Sequence, residues 1–194
     1  MIRRLPLIPT ILVGLAVATM IALGFWQLDR ARWKDELIAQ YRAAANLPPV
    51  AFPTMPGAGE KLLFRWATGF CLRPVSTRTV AGANRKGETG YVHVVSCATG
   101  AEGPGMTVEL GWSKNPNARW TWPGGPVTGM IAPDRSSGIR LVAASAPPGL
   151  EQSALPSLAS IPNNHRFYAV QWFLFAAIAT IIYVLALRKR LRSK

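Results

Sequence analysis

The chain has 194 residues, of which 49% are hydrophobic, yet it carries 22 lysines and arginines against 9 acidic residues, a formal charge of +13. That combination argues against a soluble nucleic-acid-binding domain, because the cations gather beside long uncharged runs instead of covering one basic face. Residues 31 to 166 hold 14 basic and 8 acidic side chains, a net +6, and the remaining charge flanks two apolar stretches, as expected for two membrane spans around one modest domain.

The first stretch, Leu5 to Leu28, is 24 residues without a charge between Arg4 and Asp29. Pro6 and Pro9 fall in its first turns, where proline costs a helix little. Arg3 and Arg4 favour a cytoplasmic N-terminus. Ala16-Val17-Ala18 would suit signal cleavage, but the apolar run continues to Phe25 and Trp26, so the expectation is an uncleaved anchor. With no Arg/Ser-rich presequence ahead of it, the address reads as a bacterial inner membrane. Gly14, Ala18 and Ala22 recur every four residues and offer a small-residue face, either to the second span through Ala176 and Thr180 or to a helix of another protein.

Trp26, Arg30, Trp33, Leu37 and Tyr41 recur at three- and four-residue steps, so the helix continues past the bilayer from Gly24 to Ala45 and stops at Pro48-Pro49. Asp35 and Glu36 read as its solvated face. Phe52 to Glu60, dense in proline and glycine, is a linker. Beyond it the period changes to two. Leu62–Leu72, Tyr91–Cys97, Met106–Trp112, Val127–Ala132 and Ile139–Ala144 are short β-branched or aromatic runs, separated by turns such as Gly82-Ala83-Asn84, Gly87 to Gly90, Gly100 to Gly105 and Ser136 to Gly138. The fold class expected is a membrane protein of α+β type, with two transmembrane helices flanking an antiparallel β-rich domain, a small barrel or sandwich, outside the cytoplasm. Its divisions are residues 1–28, 29–162 and 163–194, with a loop at 147–162.

The second span runs from Phe167 to Leu187, 21 uncharged residues, about 31 Å as a helix. Arg188, Lys189, Arg190, Arg192 and Lys194 follow it and hold the C-terminus in the cytoplasm, so both termini lie inside and the central domain lies in the periplasm.

The two cysteines, Cys71 and Cys97, lie in expected strands of an exported domain; they form either a disulfide or two small core residues. His93 reads as a half-buried, hydrogen-bonded strand residue. No carboxylate pair, G-x-S-x-G elbow, C-x-x-C or P-loop occurs, so the chain is read as a non-enzyme. His165 is distinguished by its address at the outer mouth of the second span. At the same depth the first span supplies Phe25, Trp26, Arg30, Arg32 and Trp33, and the second adds Arg166, Tyr168 and Trp172. An imidazole nitrogen for iron, flat rings for the macrocycle and up to three guanidinium groups for the propionates suit a haem. Membrane-boundary aromatics and snorkelling arginines account for the same residues without a ligand.

Gly24-Phe25-Trp26-Gln27-Leu28-Asp29-Arg30-Ala31-Arg32-Trp33-Lys34, followed by Leu37-Ile38, resembles the G-x-W-Q-L-x-R-x-x-W-K-x-x-L-I segment of the Surfeit locus protein one (Surf-one/Shy-one) family. Asn163-Asn164-His165, Tyr168-Ala169 and Trp172-Phe173 resemble its N-N-H-x-x-Y-A-x-x-W-F segment, and Gly90 to Val95 and Gly111-Trp112 resemble its intervening strands. Glu109-Leu110 stands where that family has Asn-Arg, and Arg166 where leucine is common. The resemblance implies an assembly factor for haem-copper cytochrome c oxidase that binds haem a at the outer membrane boundary, with His165 as iron ligand, and aids its insertion into the catalytic subunit. It also implies the catalytic subunit and the enzymes of haem a synthesis as partners, alongside the lipid bilayer and no nucleic acid. The alternative is a membrane scaffold that stabilises oxidase subunits without binding haem.

Overall fold

A computed structural model describes residues 6–53, 59–100, 105–158 and 163–192. The basic pair Arg3/Arg4, most of the Pro/Gly linker, the interior of the Gly100 to Gly105 turn, the end of the 147–162 loop and Lys194 lie outside the described residues. Contacts divide the chain into two compact units, one built from the two long helices and one from residues 39 onward through the β strands.

In the first unit, α1 spans Leu7–Ala44 and α2 spans His165–Arg192. Both are long and apolar enough to cross a membrane. They bare their hydrophobic side chains: Leu7, Ile8, Leu12, Phe167, Ile178 and Ile182 are all roughly half exposed or more, which is stable only where lipid replaces water. The helices pack through Thr10, Val13, Val17, Met20, Gly24, Gln27 and Ala31 on α1 and His165, Ala169, Trp172, Ala176, Ala179 and Tyr183 on α2, the shielded positions of each. Steps of three and four make this a coiled-coil-like seam. Gly24 is its tightest point, because a Cβ there would lie 2.6 Å from the Phe173 ring. The Thr10 and Tyr183 hydroxyls bond at the other end. The expected Gly14, Ala18, Ala22 face is therefore not the one that meets α2. It stays exposed, and nothing lies within 4 Å of a Cβ built on Gly14.

The second unit is a seven-stranded sheet: β1 (Val50–Ala51), β2 (Trp66–Cys71), β3 (Arg73–Ala83), β4 (Thr89–Ala98), β5 (Met106–Ser113), β6 (Gly125–Asp134) and β7 (Gly138–Ala143). Their order is β1-β2-β6-β7-β5-β4-β3, antiparallel except for the β1–β2 and β5–β7 pairs. The sheet curls without closing. Cys71 of β2 and Cys97 of β4, separated by three strands in that order, are joined by a disulfide with Cα atoms 5.2 Å apart, and Leu72 donates to the Ala98 carbonyl. Inside the curl lie Ala67, Val95, Met106, Val108, Leu110, Ile131 and Leu141, none more than 2% exposed. The other face holds Val92, Val94 and Trp112 beside a buried charge cluster of Glu109, Arg140, Asp134 and Arg78.

Three local expectations change. Arg73–Ala83, unassigned in sequence, is the edge strand β3, and the turn expected at Gly82-Ala83-Asn84 begins at Asn84. Residues 60–62 form a short 3-10 turn, so β2 starts at Trp66 instead of Leu62. His93 is buried rather than half-buried, at 3% exposure.

Candidate functional site

The N-terminal end of α2 starts after Asn164, whose carbonyl takes the Tyr168 amide. It lies beside the part of α1 from Gln27 to Asp35, the first to third turns beyond Gly24, and three polar bonds tie the two segments there. The imidazole of His165 lies with Nδ1 2.7 Å from Gln27 Oε1. An amide oxygen only accepts, so Nδ1 carries a proton and the nitrogen that remains for another partner is Nε2. Asn163 donates to Asp35 Oδ1 at 2.8 Å, and Arg166 donates to Asp35 Oδ2 at 2.6 Å. Among buried side-chain atoms, Asn163 Oδ1 has no hydrogen-bond partner.

The sequence-predicted residues separate into two groups. His165 and Arg166 are brought against α1, through Gln27 and Asp35. Arg30 instead lies over the ring of Trp33, 4.7 Å from its centroid, and Arg32 pairs with its own helix at Asp29, 3.4 Å away. Of the up to three guanidinium groups expected at this depth, Arg32 and Arg166 each meet a carboxylate, and Arg30 has none in an ion pair among the described residues. Trp26, Trp33 and Tyr168 stand about half exposed at 53%, 51% and 48%. Tyr168 packs edge-on with Phe167, and Trp172 with Phe175. Asp35, read from sequence as a solvated residue, is the anchor for two α2 side chains. Gln27 and Asn163 were legible in type, since an uncharged polar side chain at the edge of an apolar span asks for a partner; which partner required the packed helices.

Against the haem expectation, the donor set fits at two points. An imidazole whose Nδ1 is anchored presents Nε2 to a metal, the arrangement that orients histidine ligands in general. Arg30, held over an indole, keeps donors for a carboxylate. No group of three or more metal-binding side chains occurs among the described residues, so His165 would act as a single protein ligand.

The model of the SURF1 family matches residues 14–177, from within the apolar part of α1 through the β unit to the middle of α2. The chain belongs to the SURF1 family. No curated protein matches it in a direct sequence search. SURF1 proteins are associated with cytochrome oxidase assembly, and this SURF1 chain has the two membrane-span-capable helices and the intervening sheet that its sequence motifs implied.

Proposed function

We propose that this protein is an assembly factor for haem-copper cytochrome c oxidase, sited in a bacterial inner membrane with both termini in the cytoplasm and the β unit in the periplasm. In this reading it holds haem a as cargo on His165 Nε2 at the outer boundary and aids its passage to the catalytic subunit. The observation that carries the reading is the His165–Gln27 bond, which engages Nδ1 and leaves Nε2 as the nitrogen for a metal. Haem iron supplies the open coordination position that such a nitrogen fills. Arg30 offers a propionate partner, and the exposed Trp26 and Trp33 rings, with Tyr168 and Trp172, offer flat apolar surface. One axial nitrogen at a half-exposed mouth suits capture followed by release, because a buried two-ligand site would retain its cargo. The Cys71–Cys97 disulfide supports an oxidising compartment for the β unit, and the cations from Arg188 onward support an inside C-terminus. As a member of an assembly-factor family it is read as a carrier and not as an enzyme.

A second reading, a scaffold that holds oxidase subunits without haem, is favoured by the exposed Gly14, Ala18, Ala22 face of α1. Cells carrying His165→Ala discriminate the two. The haem reading expects the oxidase core subunit still to co-purify with the variant while the haem a content of the oxidase falls; normal oxidase activity and haem a content would favour the scaffold.

A further inference from the structure

A second feature lies in the β unit, independent of His165. Between the concave side of β3 and β4 and the segment from Pro116 to Pro123 lies a cleft of about 740 Å³, within the size range of ligand pockets. Its floor carries Thr77, Thr79 and His93, and its walls carry Trp120 and Trp122. The imidazole of His93 meets Trp120 edge-on at 5.6 Å, and its Nε2 lies 2.7 Å from the Ser113 hydroxyl. That hydroxyl donates to the Asn115 carbonyl at 2.6 Å, so it accepts from His93, and the proton is on Nε2. Nδ1 therefore has a lone pair, and among the described residues it has no partner. Burial lowers the His93 pKa and keeps the ring neutral.

The cleft runs beside an open sheet edge. Among the described residues strand β3 pairs only with β4, and the first backbone bond to its outer side is from Ala154 to the Ala83 carbonyl. From Val75 to Gly82 alternate residues consequently turn free N–H and C=O groups outward, the template to which an extended chain adds as a strand. Exposed cations flank the edge and the cleft: Arg73, Arg85 and Lys86 at the ends of β3 and Lys114 and Arg119 in the segment that walls the cleft, while Arg78 is already paired with Asp134 and Glu88 is the acidic residue next to the Arg85-Lys86 pair.

We propose that the edge of β3 receives an extended acidic peptide segment of a partner protein as an eighth strand, with one side chain bearing an N–H or O–H donor entering the cleft to bond His93 Nδ1. The backbone pairing supplies affinity, the cleft selects the side chain, and the cations select the flanking acids.

The test uses the full chain in detergent micelles and a fluorescein-labelled peptide, acetyl-Glu-Val-Trp-Val-Glu-amide, followed by anisotropy. Saturable binding is expected, weakened about tenfold or more when alternate peptide nitrogens are methylated, and weakened again as salt rises from about 50 to 500 mM. Replacing the peptide tryptophan by phenylalanine removes the donor without touching the protein, and His93→Phe removes the acceptor; each is expected to cost about tenfold. No saturable binding up to about 1 mM, or equal binding of the methylated peptide, would overturn the strand addition. Indifference to the phenylalanine exchange would overturn the role of His93.

Discussion

Removing the disulfide is the sharpest test of how the curled sheet is held. Cys71 and Cys97 are 26 residues apart and at most 2% exposed. Closing a loop of that length removes about 2.1 + 1.5R ln 26, or about 12 cal/mol/K, from the unfolded chain, which is about 3.5 kcal/mol at 25 °C. The effect is large relative to a typical domain stability of about 5–15 kcal/mol. The disulfide joins two strands that are not ladder neighbours, and it adds to the backbone contacts already at that point, the Leu72 amide on the Ala98 carbonyl and the β3–β4 pairing of Pro74 with Cys97. The Cys71→Ala/Cys97→Ala double variant, kept as the full chain in detergent and subjected to pulse proteolysis at rising urea, should expose cleavage sites in the β unit with a stability about 3–4 kcal/mol below wild type. A loss under about 1 kcal/mol would refute the reasoning, for it would mean that the sheet's own contacts already fix the approach of β2 to β4.

Three further outcomes follow from particular contacts. Gly24→Val puts a Cβ 2.6 Å from the Phe173 ring, about 1 Å inside ordinary carbon contact; it should cost about 1–3 kcal/mol of helix packing and reduce the cross-link yield between cysteines installed at Thr10 and Tyr183, whereas an unchanged yield would contradict the seam. Asp134 is pushed up by its burial, but Arg78, the Ser137 amide and hydroxyl, and Arg140 outweigh that and hold it well below the usual carboxylate range; Asp134→Asn leaves Arg78 without a carboxylate and Arg140 with Glu109 alone, and should destabilise the β unit by about 3–5 kcal/mol in urea unfolding. His93 is lowered from 6.5 by burial, so below pH 6.5 the unfolded chain takes up the proton more readily than the folded one. The stability tied to His93 is then present above pH 6.5 and lost as pH falls toward the folded value, and His93→Gln should flatten the pH 7 to 5 stability profile; parallel profiles would refute the assignment.

Long uncharged runs, small stretches of alternating β-branched residues and the position of His165 were all legible from residue order, because each is a local pattern. β3 was not: ARG-flanked Pro74 to Ala83 is an edge strand largely exposed on both faces, so burial imposed no alternation on it. The helix seam was left open between two partners for a related reason. Gly14, Ala18 and Ala22 advertise a close approach, but a single larger clash decides the facing side, and only the packed pair reveals that Phe173 needs Gly24. Glu109 illustrates a third limit. Its carboxylate lies 2.7 Å from Arg140 Nε, in ion-pair range without hydrogen-bond angles, and burial still pushes its pKa up; a lone acidic residue in an apolar strand looks like an error until the opposing arginine, 31 positions later in the chain, is folded against it. Asp35 repeats the lesson at the helix mouth, where its partners Asn163 and Arg166 come from the far end of the sequence.

The account depends most on a ligating nitrogen at His165 held in place by Gln27. Its most direct measurement is the visible absorption spectrum of the full chain purified from cells that make haem a, compared among wild type, His165→Ala and Gln27→Leu. The account predicts haem a bound to wild type, none retained by His165→Ala, and a weakened, spectrally shifted complement in Gln27→Leu. The same spectrum and haem content in all three proteins would contradict it.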